Sequence, residues 1–306
     1  MSDFRSGFVA IVGRPNVGKS TLINALVGSK IAITSHHPNT TRSAIRGIVH
    51  GENFQAVLVD TPGVHKPKTL LGHRLNAVVD QSMDSVDVVI LCIPADETSG
   101  AGDIYIAQEI AKHPRAKKFA VITKTDLLSK EKLALRLTGI MELAQGFTWD
   151  EIIPVSAAIH DQIDLLNTLI GAALPAGPAY YPEGTTSDQA IEQLICEFIR
   201  EAALQDVREE LPHSIVVTID EFGEREEKGS RPFYDVHATI HVERDTQRAI
   251  LLGHQGTRLK EIGIRARADI ERALVAKIFL GLHIKVSKEW QRDARMLDKL
   301  GFEERR

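Results

Sequence analysis

A glycine-rich stretch near the start of the chain carries the residue types that bind a triphosphate. In GRPNVGKST, residues 13–21, Gly13 and Gly18 bracket four residues, and Lys19 and Ser20 follow directly. This spacing matches the phosphate-binding loop, in which backbone N–H groups cradle phosphates, the lysine reaches the outer phosphates and the hydroxyl ligates Mg²⁺. An apolar strand precedes the stretch and a predicted helix follows, as that motif requires. We therefore interpret it as a phosphate-binding loop rather than an ordinary turn.

A second motif, TKTD at residues 123–126, indicates which base the site accepts. A carboxylate at Asp126 can accept hydrogen bonds from both N1–H and N2–H₂ of guanine, whereas adenine would leave a buried carboxylate unpaired. We expect Lys124 to lie across the plane of the base. VSAA, residues 155–158, follows a later predicted strand, and the N–H of Ala157 can donate to guanine O6.

A further motif, DTPG at residues 60–63, ends another strand, where we expect Asp60 behind the Mg²⁺ and the Gly63 N–H near the γ-phosphate. The carboxyl ends of parallel strands meet at one edge of a sheet, so all four motifs should converge on one guanine-nucleotide pocket. The candidate nucleotide-binding residues are Gly13, Arg14, Pro15, Asn16, Val17, Gly18, Lys19, Ser20, Thr21, Asp60, Thr61, Pro62, Gly63, Thr123, Lys124, Asp126, Ser156, Ala157 and Ala158.

The elements that must position these motifs form an α/β domain at residues 1–175. Apolar strands with little alternation, separated by amphipathic helices, predict a mostly parallel sheet covered on both faces. The stretch 173–188 contains three prolines and two glycines and breaks both periodicities. We assign residues 176–187 to a linker, with Ser187 or Asp188 capping the next helix.

Residues 188–306 form a second predicted domain of α+β class, with elements in the order α-β-β-α-α-β. We predict its last strand at LHIKVSKEW, residues 282–290. A G-x-x-G stretch, GHQG, lies between its second and third helices, although such stretches often only reverse the chain. Residues 246–302 contain 12 Lys and Arg but 6 Asp and Glu, whereas residues 188–245 contain 6 and 15. A basic excess favours a polyanionic partner. The residues of this domain that are candidates for contacting a polyanion such as RNA are Gly253, His254, Gln255, Gly256, Arg258, Lys260, Arg265 and Arg267.

The series GRPNVGKST, NTTR, DTPG, TKTD and SAA resembles the translation-factor class of P-loop GTPases and is close to the Era family. The second domain resembles a type II KH domain, which clamps about four single-stranded nucleotides. The resemblance covers essentially the whole chain. It implies a GTPase with GTP/GDP and Mg²⁺ as ligands, and a protein that binds the 3′ region of 16S rRNA and assists maturation of the small (30S) ribosomal subunit.

The resemblance also assigns roles to individual residues. Thr41 of NTTR corresponds to the switch I threonine, which completes the Mg²⁺ shell with Ser20 and Asp60 only when a γ-phosphate is present. The residues expected to serve catalysis are Lys19, Thr41, Gly63 and Asn16.

Two positions depart from the wider GTPase pattern. Val64 stands where many GTPases carry a water-orienting glutamine, so intrinsic hydrolysis should be slow. GTPases with an apolar residue at this position often resemble potassium-dependent GTPases, in which an asparagine at the place of Asn16 helps to hold K⁺. The alternative is that Asn16 is simply a turn residue. Thr123 stands where the family usually has asparagine, whose amide can donate to guanine N7 and brace the phosphate loop. Threonine offers one shorter hydroxyl, so base affinity should be lower while Asp126 keeps the selectivity.

Composition bounds these interpretations. The 306 residues are 43% hydrophobic and 25% charged, with no apolar run of about 18 residues and no signal-peptide pattern at the start. Two cysteines, Cys92 and Cys196, fit a reducing cytoplasm.

The first alternative to an RNA-binding GTPase is a metabolic P-loop kinase or ATPase. A membrane-tethered GTPase is the second, which leaves weak peripheral association at the inner face of the cell membrane open. We expect a monomer.

Overall fold

The computed structural model describes residues 4–34, 45–61, 70, 71, 73–75, 79, 83, 85–144, 146–205, 214–225, 231–300 and 302. The chain divides into two units. The first comprises Met1–Ala32, Thr41–Pro67 and Leu75–Asp188, and the second comprises Ile33–Thr40, Lys68–Arg74 and Gln189–Arg306. Among the described residues, no helix is long and apolar enough to span a bilayer.

A six-stranded sheet lies at the centre of the first unit. Its strands are β1 (Arg5–Val12), β2 (Ile45–His50), β3 (Phe54–Asp60), β4 (Val88–Pro94), β5 (Lys117–Thr123) and β6 (Glu151–Pro154). They lie in the order β2-β3-β1-β4-β5-β6, and every pairing is parallel except that of β2 with β3. The predicted mostly parallel sheet is confirmed.

Helices cover both faces of this sheet, because alternate residues of each buried strand point in opposite directions. The helices are α1 (Lys19–Val27), α2 (Ala101–Ala111), α3 (Lys130–Met141) and α4 (Ile163–Ala173). Val9 and Ile11 of β1 join one core cluster with residues of α1 and α4. Ala10 and Val12 join another with residues of α2 and α3. The sheet therefore presents the ends of its strands, rather than its faces, to ligands.

The stretch that we predicted as a linker packs on the first unit. Ser6 N–H donates to the carbonyl of Pro175, and the buried side chain of Gln55 accepts from the N–H groups of Tyr180 and Tyr181 at 2.7 and 2.9 Å. Ser187 forms an isolated antiparallel bridge with Gly47 of β2. These bonds hold residues 175–187 along the strands rather than leaving them extended in solvent.

The predicted helix cap at Ser187 or Asp188 is wrong, because the next helix begins at Ile191 with Ala190 at its N-cap. Both predicted caps have other partners. The Ser187 hydroxyl donates to the carbonyl of Arg46, and the Asp188 carboxylate accepts from the Arg46 guanidinium at 3.2 Å.

The second unit is a three-stranded sheet with helices packed on one face. Its elements are α5 (Ile191–Leu204), β7 (Val216–Arg225), β8 (Phe233–Val242), α6 (Asp245–Leu252), α7 (Thr257–Leu274), β9 (Lys277–Val286) and α8 (Ala294–Lys299). The sheet order is β7-β8-β9, with β7 antiparallel and β9 parallel to β8. The predicted order α-β-β-α-α-β is confirmed, and α8 follows it.

The last strand begins five residues before the predicted LHIKVSKEW, at Lys277 rather than Leu282. It pairs with β8 over its whole length, from Phe233 opposite Lys277 to Val242 opposite Val286, so the neighbouring strand sets its bounds. Trp290 lies beyond the strand, fully buried, and its indole N–H donates to the carbonyl of Ser214 at 3.1 Å.

An earlier stretch of the chain also belongs to the second unit. Ile33 is buried in that unit's hydrophobic core. The N–H and hydroxyl of Thr34 donate to one carboxylate oxygen of Glu201 on α5, at 3.0 and 3.2 Å.

Candidate functional site

The predicted phosphate-binding loop joins β1 to α1 with backbone conformations that favour glycine. Gly13 has φ 154° and Gly18 has φ 96°, and Asn16 between them is also left-handed, with φ 63°. A Cβ on Gly13 would lie 2.7 Å from the carbonyl oxygen of Cys92, so only glycine fits there. Positive-φ residues at a helix start can turn successive backbone N–H groups into a concavity of the kind that binds anions.

The side chain of Lys19 lies across this loop. Its ammonium group donates to the carbonyl oxygens of Gly13 and Arg14, at 3.1 and 2.9 Å. Burial lowers the pKa of Lys19, while attraction from Asp60 opposes that effect. The cation is therefore held at the loop, where a phosphate would recover the solvation that burial removes.

The two predicted protein ligands of Mg²⁺ meet in the structure. The Ser20 hydroxyl at the start of α1 donates to a carboxylate oxygen of Asp60 at the end of β3, at 3.0 Å, and both residues are buried. Hard oxygen donors of this kind suit Mg²⁺, which usually takes one or two protein ligands and completes its shell with phosphates and water. Among the described residues there is no group of three or more His, Cys, Asp and Glu that could hold a metal alone.

The expected γ-phosphate side of the pocket lies outside the described residues. The residues outside the described part of the chain include Thr41, Pro62, Gly63 and Val64. The roles expected of these four residues remain predictions. Thr61, the last described residue of this motif, is buried, and its hydroxyl donates to the carbonyl of Ile11 at 2.7 Å. This side chain thus fastens the end of β3 to β1 rather than facing a ligand.

The base side of the pocket is built at the ends of β5 and β6. Asp126 lies in a single 3₁₀ turn, Thr125–Leu127, which begins after Lys124 in a left-handed conformation with φ 58°. The Ser156 hydroxyl donates to one carboxylate oxygen of Asp126 at 2.5 Å. Ser156 therefore orients the carboxylate while leaving its second oxygen for the guanine edge. The Lys124 ammonium lies 3.7 Å from Asp96.

Thr123 faces the phosphate loop. Its hydroxyl donates to the carbonyl of Val17 at 2.5 Å, and the carbonyl of Ile93 is 3.4 Å from the same oxygen. Thr123 is buried. It supplies the brace to the phosphate loop that the usual asparagine would make.

Arg14, which we predicted as a nucleotide-binding residue, directs its side chain toward α2. Its guanidinium donates to Asp103 at 2.9 Å and to Glu97 at 3.1 Å. Asp103 is fully buried and also accepts from the N–H of Gly100 at 2.9 Å. Only the backbone of Arg14 faces the loop, where its carbonyl accepts from Lys19.

Sequence reasoning missed Asp103. Its one local signal was an acidic residue in the first turn of a predicted helix, which usually reports capping. A Cβ on Gly102 would lie 2.8 Å from Cδ of Arg14, so the small residue beside Asp103 makes room for the arginine.

The GHQG loop of the second unit makes the tight reversal expected between two helices. Gly253 and Gly256 have φ 69° and 77°, and Gln255 has φ 51°. A Cβ on Gly253 would lie 2.8 Å from Cβ of Arg258, so the loop packs closely on the start of α7. His254 and Gln255 are exposed, so a nucleic-acid backbone can approach the loop.

The predicted basic residues on α7 have different surroundings. Arg258 and Arg265 both contact Gln205, through its carbonyl and its side-chain oxygen, each at 3.1 Å. Arg267 instead pairs with Glu271 on the same helix at 2.9 Å. Lys260 is exposed. The structure thus directs Arg258 and Arg265 to the same residue, Gln205, while Arg267 belongs to a surface ion pair.

Comparison with known proteins agrees with this architecture. A family model described as 50S ribosome-binding GTPase matches residues 8–124, and a KH-domain model matches residues 210–291. GTPase Era of Mycobacterium tuberculosis strain H37Rv is 53% identical over 304 residues, covering 99% of this chain and all of the relative. GTPase Era of Streptomyces coelicolor is 51% identical over 301 residues, covering 97% of this chain and 95% of the relative.

Solved structures of Era resemble this chain over almost its whole length. The crystal structure of Era in complex with MgGDPNP and nucleotides 1506–1542 of 16S ribosomal RNA has a TM-score of 0.92 at 34% identity, covering 98% of this chain and all of that one. A single-residue variant of Aquifex aeolicus Era bound to GDP·AlF4⁻ has a TM-score of 0.91, with the same identity and coverage. The chain therefore belongs to the Era family of GTPases, enzymes that hydrolyse GTP to GDP and phosphate.

Proposed function

We propose that this GTPase is a nucleotide-dependent switch that binds the 3′ region of 16S rRNA and assists maturation of the 30S ribosomal subunit. A protein 34% identical to it was crystallised as Era with MgGDPNP and that rRNA segment. The exposed, glycine-bounded GHQG loop at the start of α7 supports the same class of ligand for this chain.

The assignment of the nucleotide site is supported best by the hydrogen bond from Ser20 to Asp60 beside the phosphate-binding loop. We assign the outer phosphates to Lys19 and the backbone of residues 13–21, and the metal to Ser20, Asp60 and Thr41. When bound, Mg²⁺ neutralises charge that develops on the phosphate oxygens. Asp126 and the N–H of Ala157 read the guanine edge, and the Gly63 N–H contacts the γ-phosphate.

Position 64 is a valine, so no glutamine orients the attacking water there. We propose that K⁺, held with the help of Asn16, would supply positive charge beside the phosphates during hydrolysis. The left-handed Asn16 lies inside the phosphate loop, which supports a position close to the phosphates. GTP hydrolysis should be faster in potassium chloride than in sodium chloride at equal ionic strength. Equal rates in both salts would leave Asn16 as a turn residue.

Coupling between nucleotide and RNA follows from the course of the chain. Ile33 and Thr34 belong to the second unit, and Thr41 comes seven residues after Thr34. Engagement of Thr41 by GTP is thus linked through the covalent chain to residues packed on α5. We expect RNA affinity to differ between the GTP and GDP forms. Glu201→Gln, which weakens the contact with Thr34, should reduce that difference.

The central experiment measures binding of a fluorescent RNA from the 3′ end of 16S rRNA, with a shuffled RNA as control. Replacing His254 and Gln255 by aspartate places two negative charges where phosphates approach, so affinity should fall at least tenfold while GTP hydrolysis stays unchanged. Equal affinity for both RNAs would contradict the rRNA assignment. Unchanged affinity in the aspartate variant would contradict the loop assignment.

Competition with unlabelled ATP separates this function from a metabolic kinase or ATPase, since only GTP and GDP should displace labelled GDP. We also propose a cytoplasmic monomer with at most weak peripheral membrane association. Sedimentation and flotation with anionic vesicles test these two points.

A further inference from the structure

Among the described residues, helices α5, α6 and α7 share the core cluster of the second unit with one face of its sheet, and β9 lies at the edge of that sheet. Val236, Ala238 and Ile240 of β8 point into the core beneath the helices, as do Ile278 and Ile284 of β9. Side chains alternate along a strand, so the odd-numbered residues of both strands point to the opposite face. We call this the outer face. On β9 it carries Lys277, Phe279, Gly281, His283 and Lys285.

An exposed pair of rings lies on the outer face. Phe279 is 45% exposed, and the His237 ring of β8 lies 5.5 Å from it, tilted by 51°. Gly281 makes room for this arrangement, because a Cβ there would lie 2.7 Å from Nδ1 of His237. The exposed Phe279 ring therefore offers a face on which a planar base can stack, with the His237 ring beside it.

The charge along β9 is entirely basic. The strand KIFLGLHIKV contains two lysines and no acidic residue, and Lys277, His283 and Lys285 are all exposed. Asp235 of β8 lies opposite this strand and Glu271 of α7 accepts from the N–H of Ile278 at 3.2 Å, and each of these carboxylates is also paired with an arginine. Asp235, opposite Phe279, accepts from Arg225 at 2.6 and 2.8 Å, and Glu271 accepts from Arg267 at 2.9 Å.

Further acidic residues of the described outer face lie on its β7 side. Glu221 is opposite His237, and Asp220 accepts from Thr239 at 2.7 Å. A polyanion is therefore favoured over the β9 side of the face and opposed over the β7 side.

We propose that the outer face at β9 is a second single-stranded RNA contact, in which a base stacks on Phe279 beside His237 while Lys277 and Lys285 pair with the flanking phosphates. Exposed aromatic rings next to lysines bind single strands in this way, because every base has a face that stacks. The inference rests on the proposed RNA-binding function and extends the RNA beyond the nucleotides clamped at GHQG.

The test compares RNAs of two lengths, about four and about twelve nucleotides, because only the longer one can fill the GHQG site and also reach the outer face. Phe279→Ala should weaken binding of the longer RNA at least fivefold and leave the shorter one within twofold. Phe279→Trp should retain affinity for the longer RNA. Phe279→Leu keeps an apolar side chain of similar reach but has no π-face, so it should behave like the alanine variant.

The lysines are tested through the salt dependence of binding. Each phosphate contact to a single strand contributes about 0.7 to the slope of log K against log salt. Lys277→Gln with Lys285→Gln should therefore lower the slope for the longer RNA by about 1.4. The matched control, Lys130→Gln with Lys132→Gln on α3, changes two exposed lysines of the first unit and should leave the slope unchanged.

The outcomes separate the two proposals. If the wild-type chain binds neither RNA, the proposed RNA-binding function fails, and this inference fails with it. If the wild type binds both and Phe279→Ala binds both equally well, the inference alone is overturned. Loss of a wild-type dimer in Phe279→Ala, with unchanged RNA affinity, would overturn it in favour of an interface between copies. Melting temperature and GTP hydrolysis should be unchanged in every variant.

Discussion

The hydroxyl of Thr123 donates to the carbonyl of Val17 at 2.5 Å, which ties the end of β5 to the phosphate-binding loop. A hydroxyl has one proton to donate, so this bond leaves none for N7 of the base. Thr123 thus braces the phosphate-binding loop, as the usual asparagine would, but does not donate to guanine N7.

Binding of 7-deaza-GTP tests that division. We expect the wild-type protein to bind GTP and 7-deaza-GTP within twofold of each other, because no protein donor is assigned to N7. Thr123→Asn, whose amide has two protons, should come to prefer GTP by about fivefold, the worth of one hydrogen bond. A wild-type preference for GTP of that size would contradict the assignment.

Removing the brace should also weaken binding of every guanine nucleotide. Thr123→Val leaves the buried Val17 carbonyl without this donor, which costs about 1–3 kcal/mol. We expect GDP to dissociate about tenfold faster in a stopped-flow chase. Thr123→Ser keeps the hydroxyl and should dissociate at nearly the wild-type rate; similar acceleration in both variants would point to lost packing instead.

Base selectivity should change at Asp126. Asp126→Asn replaces a double acceptor with a group that can donate, so xanthosine triphosphate should be preferred and GTP affinity should fall by about a hundredfold or more. Competition against labelled GDP measures this. Ser156→Ala removes the hydroxyl that orients the carboxylate and should lower GTP affinity without inverting selectivity. Unchanged GTP selectivity in Asp126→Asn would mean that the base site is misassigned.

The buried carboxylate of Asp103 should matter for both stability and nucleotide binding, because it holds Arg14 of the phosphate loop. We expect Asp103→Asn to lower the free energy of unfolding by about 1–3 kcal/mol and to speed GDP release. The control on the same helix is Glu109→Gln, which removes an acid from an exposed pair with Lys112 at 2.6 Å. Its effect should stay within about 1 kcal/mol, since exposed ion pairs contribute little. Equal effects in urea unfolding would contradict this prediction.

Magnesium removal should weaken nucleotide binding, because Ser20 and Asp60 supply only part of a metal shell. With EDTA, GDP should dissociate faster and GTP hydrolysis should stop. Ser20→Ala should require about tenfold or more Mg²⁺ for half-maximal hydrolysis. Thr138→Ala, which removes an exposed hydroxyl on α3, is the control. A magnesium requirement identical to wild type in Ser20→Ala would remove this residue from the metal site.

Much of the fold and of the nucleotide pocket could be predicted, because local signals carry them. The continuous apolar runs of β4 and β5 are typical of strands in a sheet that is covered on both faces. The glycines within residues 13–18 mark backbone with positive φ. Once the strands are parallel, their ends must share an edge, and Ser20 meets Asp60 without further information. The last strand was placed five residues late because its start depends on pairing with β8.

The sequence by itself determined the class of chemistry, since a spacing such as that of Gly13, Gly18 and Lys19 dictates backbone shape over a few residues. Only the tertiary structure decided which side chains act on those residues from a distance. Arg14 turns to Asp103, Thr123 to Val17, and Arg258 and Arg265 to Gln205. The physical reason is that backbone conformation follows from neighbouring residues, whereas a hydrogen bond between distant residues forms only where packing brings donor and acceptor together.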